Sequence, residues 1–153
     1  IDMQLADRGE IELPYVHDGF VVGLRLEGHL AGITIEIENG KRVELLMHGV
    51  RALQIDHFRL GNIVFSARIF RNVRPSRADM ANILKGLRPL DSGQWEHDVG
   101  YPETIASEVE QGRAILCIIE PTIGCSMTAL CERVEMAARG LGRERPAQQT
   151  AWN

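Results

Sequence analysis

The dipeptide Asn39-Gly40 lies between two runs in which apolar and polar residues alternate, and this pattern limits the fold of the chain most strongly. The alternating runs cover residues 33–38 and 41–47. Alternation with a period of two is typical of a half-buried strand. Asn-Gly readily adopts the two positive φ values of a type I′ turn. We therefore predict a β-hairpin with a two-residue turn at Asn39-Gly40.

Similar patterns predict further strands on both sides of this hairpin. Apolar residues alternate from 20 to 27, a weaker run covers 50–58, and Gly61-Asn62 precedes a β-rich run over 63–70. Residues 113–120 are strongly apolar, as expected of a central strand. Pro14 makes residues 1–18 a lead-in or an edge strand, because proline cannot donate to a central ladder. Short links between successive strands favour antiparallel neighbours over βαβ units.

Two segments have the apolar spacing of short helices. Pro75-Ser76 precedes apolar residues at helical intervals, which predicts a helix over 76–85. A second helix is predicted from Pro102, with Gly112 past its end. The apolar spacing of 127–138 fits either a helix or a strand, and the periodicity alone favours the helix. Residues 86–101 are expected to form a loop with one short strand.

The composition is that of a soluble globular domain, with 153 residues, 44% hydrophobic and 25% charged. We therefore predict one α+β domain over residues 1–140, followed by a polar C-terminal tail over 141–153. The domain is expected to be mainly an antiparallel β-sheet of about six to eight strands, arranged as a sandwich or half-barrel, with two or three short helices.

Charge and apolar run lengths argue against two classes of partner. The net charge of -4 and the scarcity of lysine argue against nucleic acid, whose phosphates require clustered basic residues. The longest apolar runs, such as 114–119, are far shorter than the roughly 18 residues of a membrane span. Three cysteines in apolar surroundings favour reduced thiols, and with no apparent signal peptide we expect a cytoplasmic protein.

Histidine and aspartate side chains supply the candidates for the alternative polar site. They are His17, Asp18, His48, Asp56 and His57, with a further pair at 97–98. Imidazole and carboxylate groups serve in metal sites and acid-base pairs, but neighbouring residues on a strand point to opposite faces. We therefore predict no catalytic residue, no cofactor and no metal shared among the histidines. His17-Asp18-Gly19 is instead expected to be a turn in which Gly19 has a positive φ.

Thiols and arginines give weaker expectations. Cys125, in a turn next to Gly124, is the thiol most expected to be exposed, whereas Cys117 lies in an apolar run and is expected to be buried. Four arginines recur at intervals of three, at 68, 71, 74 and 77. Half of that run is expected to be a strand, so we predict a solvated surface rather than an anion-binding patch.

Tyr15, Trp95 and Trp152 lie outside the strands predicted from alternation and are the predicted partner-binding residues. The tail carries too little apolar surface to order itself, since fixing the backbone of one residue costs about 1–2 kcal/mol. We therefore expect Trp152 to dock in a hydrophobic groove. If that groove belongs to a second subunit, the tail would form a two-fold homodimer.

Several turns of this sequence match turns that occur in a known group of protein domains. They are the His-Asp pair before the strand predicted from residue 20, Gly-Val before a phenylalanine-containing strand, Gly-Asn before the next strand, and Pro-x-x-Gly between two late strands. Through these turns, residues 17–69 and 118–136 resemble small bacterial β-rich domains that include immunity proteins of polymorphic toxin systems. The resemblance implies that 126–136 is a strand paired with 113–120, and it implies no catalytic residue.

Together these features predict a non-catalytic interaction domain, immunity-like or accessory, that binds another protein. The alternative is a small enzyme or metal-binding protein that uses the His/Asp cluster. The first is favoured by an acidic composition and short strands without a chemical motif.

Overall fold

The computed structural model describes residues 9–13, 16–86 and 101–139, which form one antiparallel sheet and two helices. The strands are β1 (Gly9–Glu12), β2 (Phe20–Glu27), β3 (Leu30–Glu36), β4 (Arg42–His48), β5 (Ala52–Asp56), β6 (Asn62–Arg71), β7 (Ile115–Ile123), β8 (Ser126–Cys131) and β9 (Arg133–Arg139). The helices are α1 (Arg77–Gly86) and α2 (Tyr101–Glu110). The predicted antiparallel α+β class is confirmed, and both helices lie where the sequence placed them.

The strand order is β5-β8-β7-β6-β2-β3-β4-β9, and β1 pairs with β6 beside this path. The sequence predicted that strands with short links would pair with each other, and this is wrong for β5. It pairs with β8, while β4 pairs with β9. Residues 126–139 are therefore two strands rather than a helix. β8 pairs with β7 as the resemblance implied, but residues 133–136, which were expected to continue that strand, belong to β9 and pair with β4.

The hairpin of β3 and β4 is confirmed, but its predicted two-residue turn is wrong. The ladder ends at the pair Glu36↔Arg42, and the Ile37 amide then donates to the Lys41 carbonyl at 2.8 Å. This bond leaves a three-residue loop, Glu38–Gly40, with a 3-10 conformation and φ of +70° at Gly40. A three-residue loop that ends in a left-handed glycine is the second common way to close a hairpin.

The inner face of the sheet encloses the main core. Alternate residues of seven strands form one buried cluster, which includes Ile33, Leu45, Ile69, Cys117, Met127 and Met136. Leu53 and Ile55 of β5 also pack against it. Strands at both ends of the strand order thus share one core, and the alternation read from the sequence reports this inner face.

The two helices cover part of the outer face. Ile105 and Val109 of α2 pack with Phe70, Leu116 and Ile118 in a second buried cluster. These outer residues come from β6 and β7, at positions between the inner-face residues. We call this region the covered half of the outer face. Among the described residues, no helix is long and apolar enough to cross a membrane.

Candidate functional site

Beyond the helices, the same outer face carries exposed apolar side chains. Phe20 of β2 lies opposite Ile63 of β6, and Ile63 lies opposite Ile123 of β7. Directly opposed residues of antiparallel strands share a face, so these three form a row across three strands. Phe65 lies farther along β6 on the same side. We call Phe20, Ile63, Phe65 and Ile123 the outer patch.

The outer patch is open to solvent although its residues are large and apolar. Phe20 is 45% exposed, Phe65 is 54% exposed and Ile123 is 42% exposed. Bulges explain how these side chains are turned outward. The register between β6 and β7 shifts between Ile63 and Val64 and again before Ser66, which leaves Phe65 without a partner opposite. Bulges of this kind re-aim side chains and occur frequently beside functional sites.

His17 lies on the rim of the outer patch. Its ring centroid is 5.7 Å from that of Phe65, with the rings tilted by 58°. The His17 Nδ1 atom is 3.2 Å from an Asp18 carboxylate oxygen. The two residues therefore place a polar edge beside the exposed aromatic ring.

The expected turn at His17-Asp18-Gly19 is present, but the expectation of a positive φ at Gly19 is wrong. Asp18 has a φ of +62°, whereas Gly19 is not in the left-handed region. Aspartate tolerates this conformation better than most residues. Gly19 is required for space instead: a Cβ there would lie 2.8 Å from the Ile35 Cγ2 atom and 2.9 Å from the Val16 carbonyl oxygen.

A charged cluster separates the covered half from the outer patch. The Arg68 guanidinium donates to Asp79 and to Glu120, each at 2.7 Å. Asp79 is 3% exposed and also accepts from the Ser76 hydroxyl at 2.7 Å. The Ser76 oxygen accepts from the Asp79 amide at 3.2 Å, which caps the start of α1.

The prediction that the arginines at 68, 71, 74 and 77 share a solvated surface is wrong for Arg68. Its side chain is 18% exposed and lies 5.4 Å from the Phe70 ring centroid. Arg74 is more exposed and contacts Glu103 and Glu110 of α2. Hydrogen bonds to Glu110 and then Glu103 raise the Arg74 pKa above its ordinary value. These arginines stabilise the helix layer, so they do not form one anion site.

Asn62 supports the loop beside the outer patch, and sequence reasoning missed it. The side-chain oxygen accepts from the Arg59 amide at 2.9 Å and the Cys125 amide at 3.1 Å. The side-chain nitrogen donates to the Val21 carbonyl at 3.3 Å and to the Arg59 carbonyl. A single buried amide thus joins β2, the 57–61 loop and the β7–β8 turn. Its position after Gly61 suggested only a turn residue.

The three cysteines are free and buried, so the expectation of an exposed Cys125 is wrong. Cys125 is 2% exposed, and burial, with a smaller effect of Asp56, raises its pKa. In the inner core, a hydrogen bond with Cys131 and burial raise the pKa of Cys117 well above its ordinary value. A nucleophilic cysteine requires the opposite shift and an accessible sulfur.

The five residues of the alternative polar site lie in three separate places. His48 contacts Glu135 through Nε2 at 3.1 Å, and the Asp56 carboxylate accepts from the Gln54 side-chain Nε2 at 2.8 Å. His57 is exposed, with a φ of +57°. Within the described ranges, no hydrogen bond or ion pair joins His17-Asp18, His48 and Asp56-His57 to one another.

The part of the chain that the structure describes contains no group of three or more His, Cys, Asp or Glu residues that could hold a metal ion. The predicted partner-binding residues Tyr15, Trp95 and Trp152 lie outside the described residues, as do the His-Asp pair at 97–98 and the tail over 141–153. Their predicted roles stay predictions.

The chain matches no family model, no curated protein and no solved structure.

Proposed function

We propose that this protein is a non-catalytic interaction domain that binds another protein through the outer patch. The observation that carries the proposal is the register Phe20↔Ile63↔Ile123, which sets three apolar side chains side by side across adjacent strands. Single exposed apolar residues are ordinary on a protein surface, whereas a contiguous group with a polar rim is typical of a binding surface.

The chemistry of the outer patch fits a protein surface better than a small ligand. Small-molecule sites are concave and bury most of the ligand, whereas these side chains lie across three neighbouring strands of one sheet face. Aromatic residues are frequent energetic centres of protein interfaces, and Phe20 and Phe65 supply two of them. Phe58 and Leu60, which are 46% and 99% exposed, lie in the adjoining loop that Asn62 holds.

The class of partner follows from the resemblance described above. An immunity-like domain would bind a toxin domain, so a toxin encoded beside this gene is the first partner to test. The proposal also takes the sheet to be a half-barrel, supported by the shared core of β5 and β9. Binding through a preformed sheet face would involve little backbone rearrangement.

The test is site-specific photo-crosslinking in the native cell. A benzophenone amino acid replaces Phe65 in one variant and Arg77 in the control. Arg77 is exposed at the start of α1, on the covered half. We expect one discrete protein adduct from position 65 and none from position 77. The adduct should disappear when Phe20→Asp is added, because a charge is then buried in the interface.

Equal adducts from both positions, or no protein adduct from position 65, would contradict the proposal. The alternative, a metal-binding protein or enzyme that uses the His/Asp residues, predicts a different result. Its metal-binding form requires a stoichiometric metal in the purified protein that is lost on His48→Ala or His17→Ala. Elemental analysis of the native protein and these variants separates that form from the interaction domain.

A further inference from the structure

Strand β2 has a second exposed feature, its edge over residues 22–27. β2 pairs with β6 only at Phe20 and Val21, whereas it pairs with β3 along its whole length. Beyond Val21, no other strand of the described chain pairs with that edge. Leu24 is 37% exposed and Leu26 is 67% exposed. Among the described residues, this edge therefore has no strand partner, and two of its leucines are exposed.

Natural proteins usually protect such an edge, because it is a template for pairing with another strand. Lysine, proline and bulges are common protective devices. Residues 23–27 contain neither lysine nor proline, and the one bulge of β2 lies before them, between Val21 and Gly23. Their two charges, Arg25 and Glu27, are opposite in sign and two positions apart.

This charge pattern is complementary to itself. When two copies of the edge pair antiparallel with Leu26 on the two-fold axis, Arg25 of each copy lies opposite Glu27 of the other. A register centred on Arg25 would oppose two like charges, which is destabilising. With Leu26 at the centre, the leucines of both copies lie on one face of the combined sheet, and Arg25 and Glu27 of both copies lie on the other.

We infer that a second copy of this chain pairs with the β2 edge, forming a two-fold dimer with Leu26 on the axis. The two sheets then continue as one across the interface, as in other strand-addition complexes. In the single chain Arg25 is 3.7 Å from Glu44, which lies on β4, on the side of β2 away from the free edge, so the dimer requires this guanidinium to turn toward the second Glu27. This dimer is separate from the outer patch and does not depend on the proposed function.

The first test compares two charge reversals in analytical ultracentrifugation of the full chain. Glu27→Arg places an arginine opposite Arg25 at two symmetric positions, and Glu38→Arg makes the same charge change in an exposed loop away from the edge. We expect the native protein and Glu38→Arg to dimerise equally. Glu27→Arg should weaken the dimer by about 10-fold or more, with an unchanged thermal midpoint at concentrations where both proteins are monomeric.

The second test fixes the register with single cysteines. Directly opposed residues of antiparallel strands have Cα atoms about 4.5–5.5 Å apart, which suits a disulfide. With oxidised glutathione as the oxidant, Leu26→Cys should form a covalent dimer rapidly. Leu24→Cys and Phe65→Cys should not, and the three natural cysteines are buried.

Three outcomes would overturn the inference. The first is a native protein that stays monomeric at high concentration. Protection of the β2 edge amides by another segment of the same chain would give this result. The second is a dimer that survives Glu27→Arg but is lost on deletion of 141–153, because the tail would then form the interface. The third is a faster disulfide from Leu24→Cys, which would place the wrong residue on the axis.

Discussion

The covered half and the outer patch lie on one face of one sheet, yet only the covered half belongs to the core. Strand β6 crosses both: Phe70 is 1% exposed beneath the helix layer, whereas Phe65 is 54% exposed. β7 repeats the order, from buried Leu116 through Glu120 to exposed Ile123. Both halves of this face therefore carry aromatic and aliphatic residues. The helices decide which of them become core.

The border between the halves explains why the cover ends where it does. Arg68 and Glu120 occupy the outer positions of β6 and β7 next to the apolar ones, and Asp79 of α1 closes the ion cluster. A buried carboxylate requires charged partners, so α1 is held at this point on the sheet. The apolar residues beyond it remain available to a partner.

The largest expected effect compares two phenylalanines of β6. Phe70→Ala should lower the free energy of unfolding by about 3–5 kcal/mol, because it leaves a cavity under the helices. Phe65→Ala should change it by less than about 1 kcal/mol, because its ring is already half in water. Urea denaturation of both variants measures the difference. Equal losses would show that the outer patch is a second core.

A smaller effect is expected at the border. Asp79→Ala removes the most buried carboxylate around Arg68 and the acceptor of the Ser76 hydroxyl, and should cost about 2–3 kcal/mol of unfolding free energy. The control is Arg74→Ala, whose ion pairs are exposed to solvent and should contribute little to the unfolding free energy. If Asp79→Ala is as mild as the control, the ion cluster does not hold α1 on the sheet.

Asn62 provides the corresponding test for the support of the outer patch. Asn62→Ala leaves the Cys125 amide and the Val21 carbonyl without this partner, and should cost about 1–3 kcal/mol of unfolding free energy. Hydrogen exchange should quicken at residues 57–62 and stay unchanged in α2. Faster exchange in α2 as well would mean that the two halves unfold together and that Asn62 has no local role.

The smallest expected effect concerns pH and Cys125, behind the same loop. The Cys125 pKa is raised in the folded state, so its contribution is complete below the unfolded thiol pKa, about 8.5, and is lost as the pH rises toward the folded pKa. Unfolding free energy should therefore decline more steeply above that pH in the native protein than in Cys125→Ala. Parallel declines would assign the pH dependence to other groups.

Much of the sheet was predictable because the alternation of apolar and polar residues shows which side chains of each strand face the core. The strands around Asn39-Gly40 follow from Ile33 and Ile35, which are buried. The turn length did not follow, because a three-residue loop and a two-residue turn both accept Gly40. The partner of β5 was also not predictable: β8 lies far along the chain, and local spacing contains no information about such a pairing.

The candidate site was harder to predict than the fold. Histidines and tryptophans are conspicuous by residue type, whereas the outer patch consists of phenylalanine and isoleucine residues that resemble core residues in the sequence. Their exposure depends on the bulges near Phe65 and on how far α1 and α2 extend over the sheet. Both properties arise from tertiary packing. The arginine at 68 was misread for the same reason, since Asp79 comes from a later helix.

The central claim is that the outer patch binds a protein while the covered half stabilises the fold. Its most direct test is the affinity of the partner captured at position 65, measured by titration with the native protein, Phe65→Ala and the Arg77→Ala control. The account predicts at least 10-fold weaker binding for Phe65→Ala with nearly unchanged unfolding free energy, and native affinity for Arg77→Ala. Native affinity for folded Phe65→Ala would contradict it.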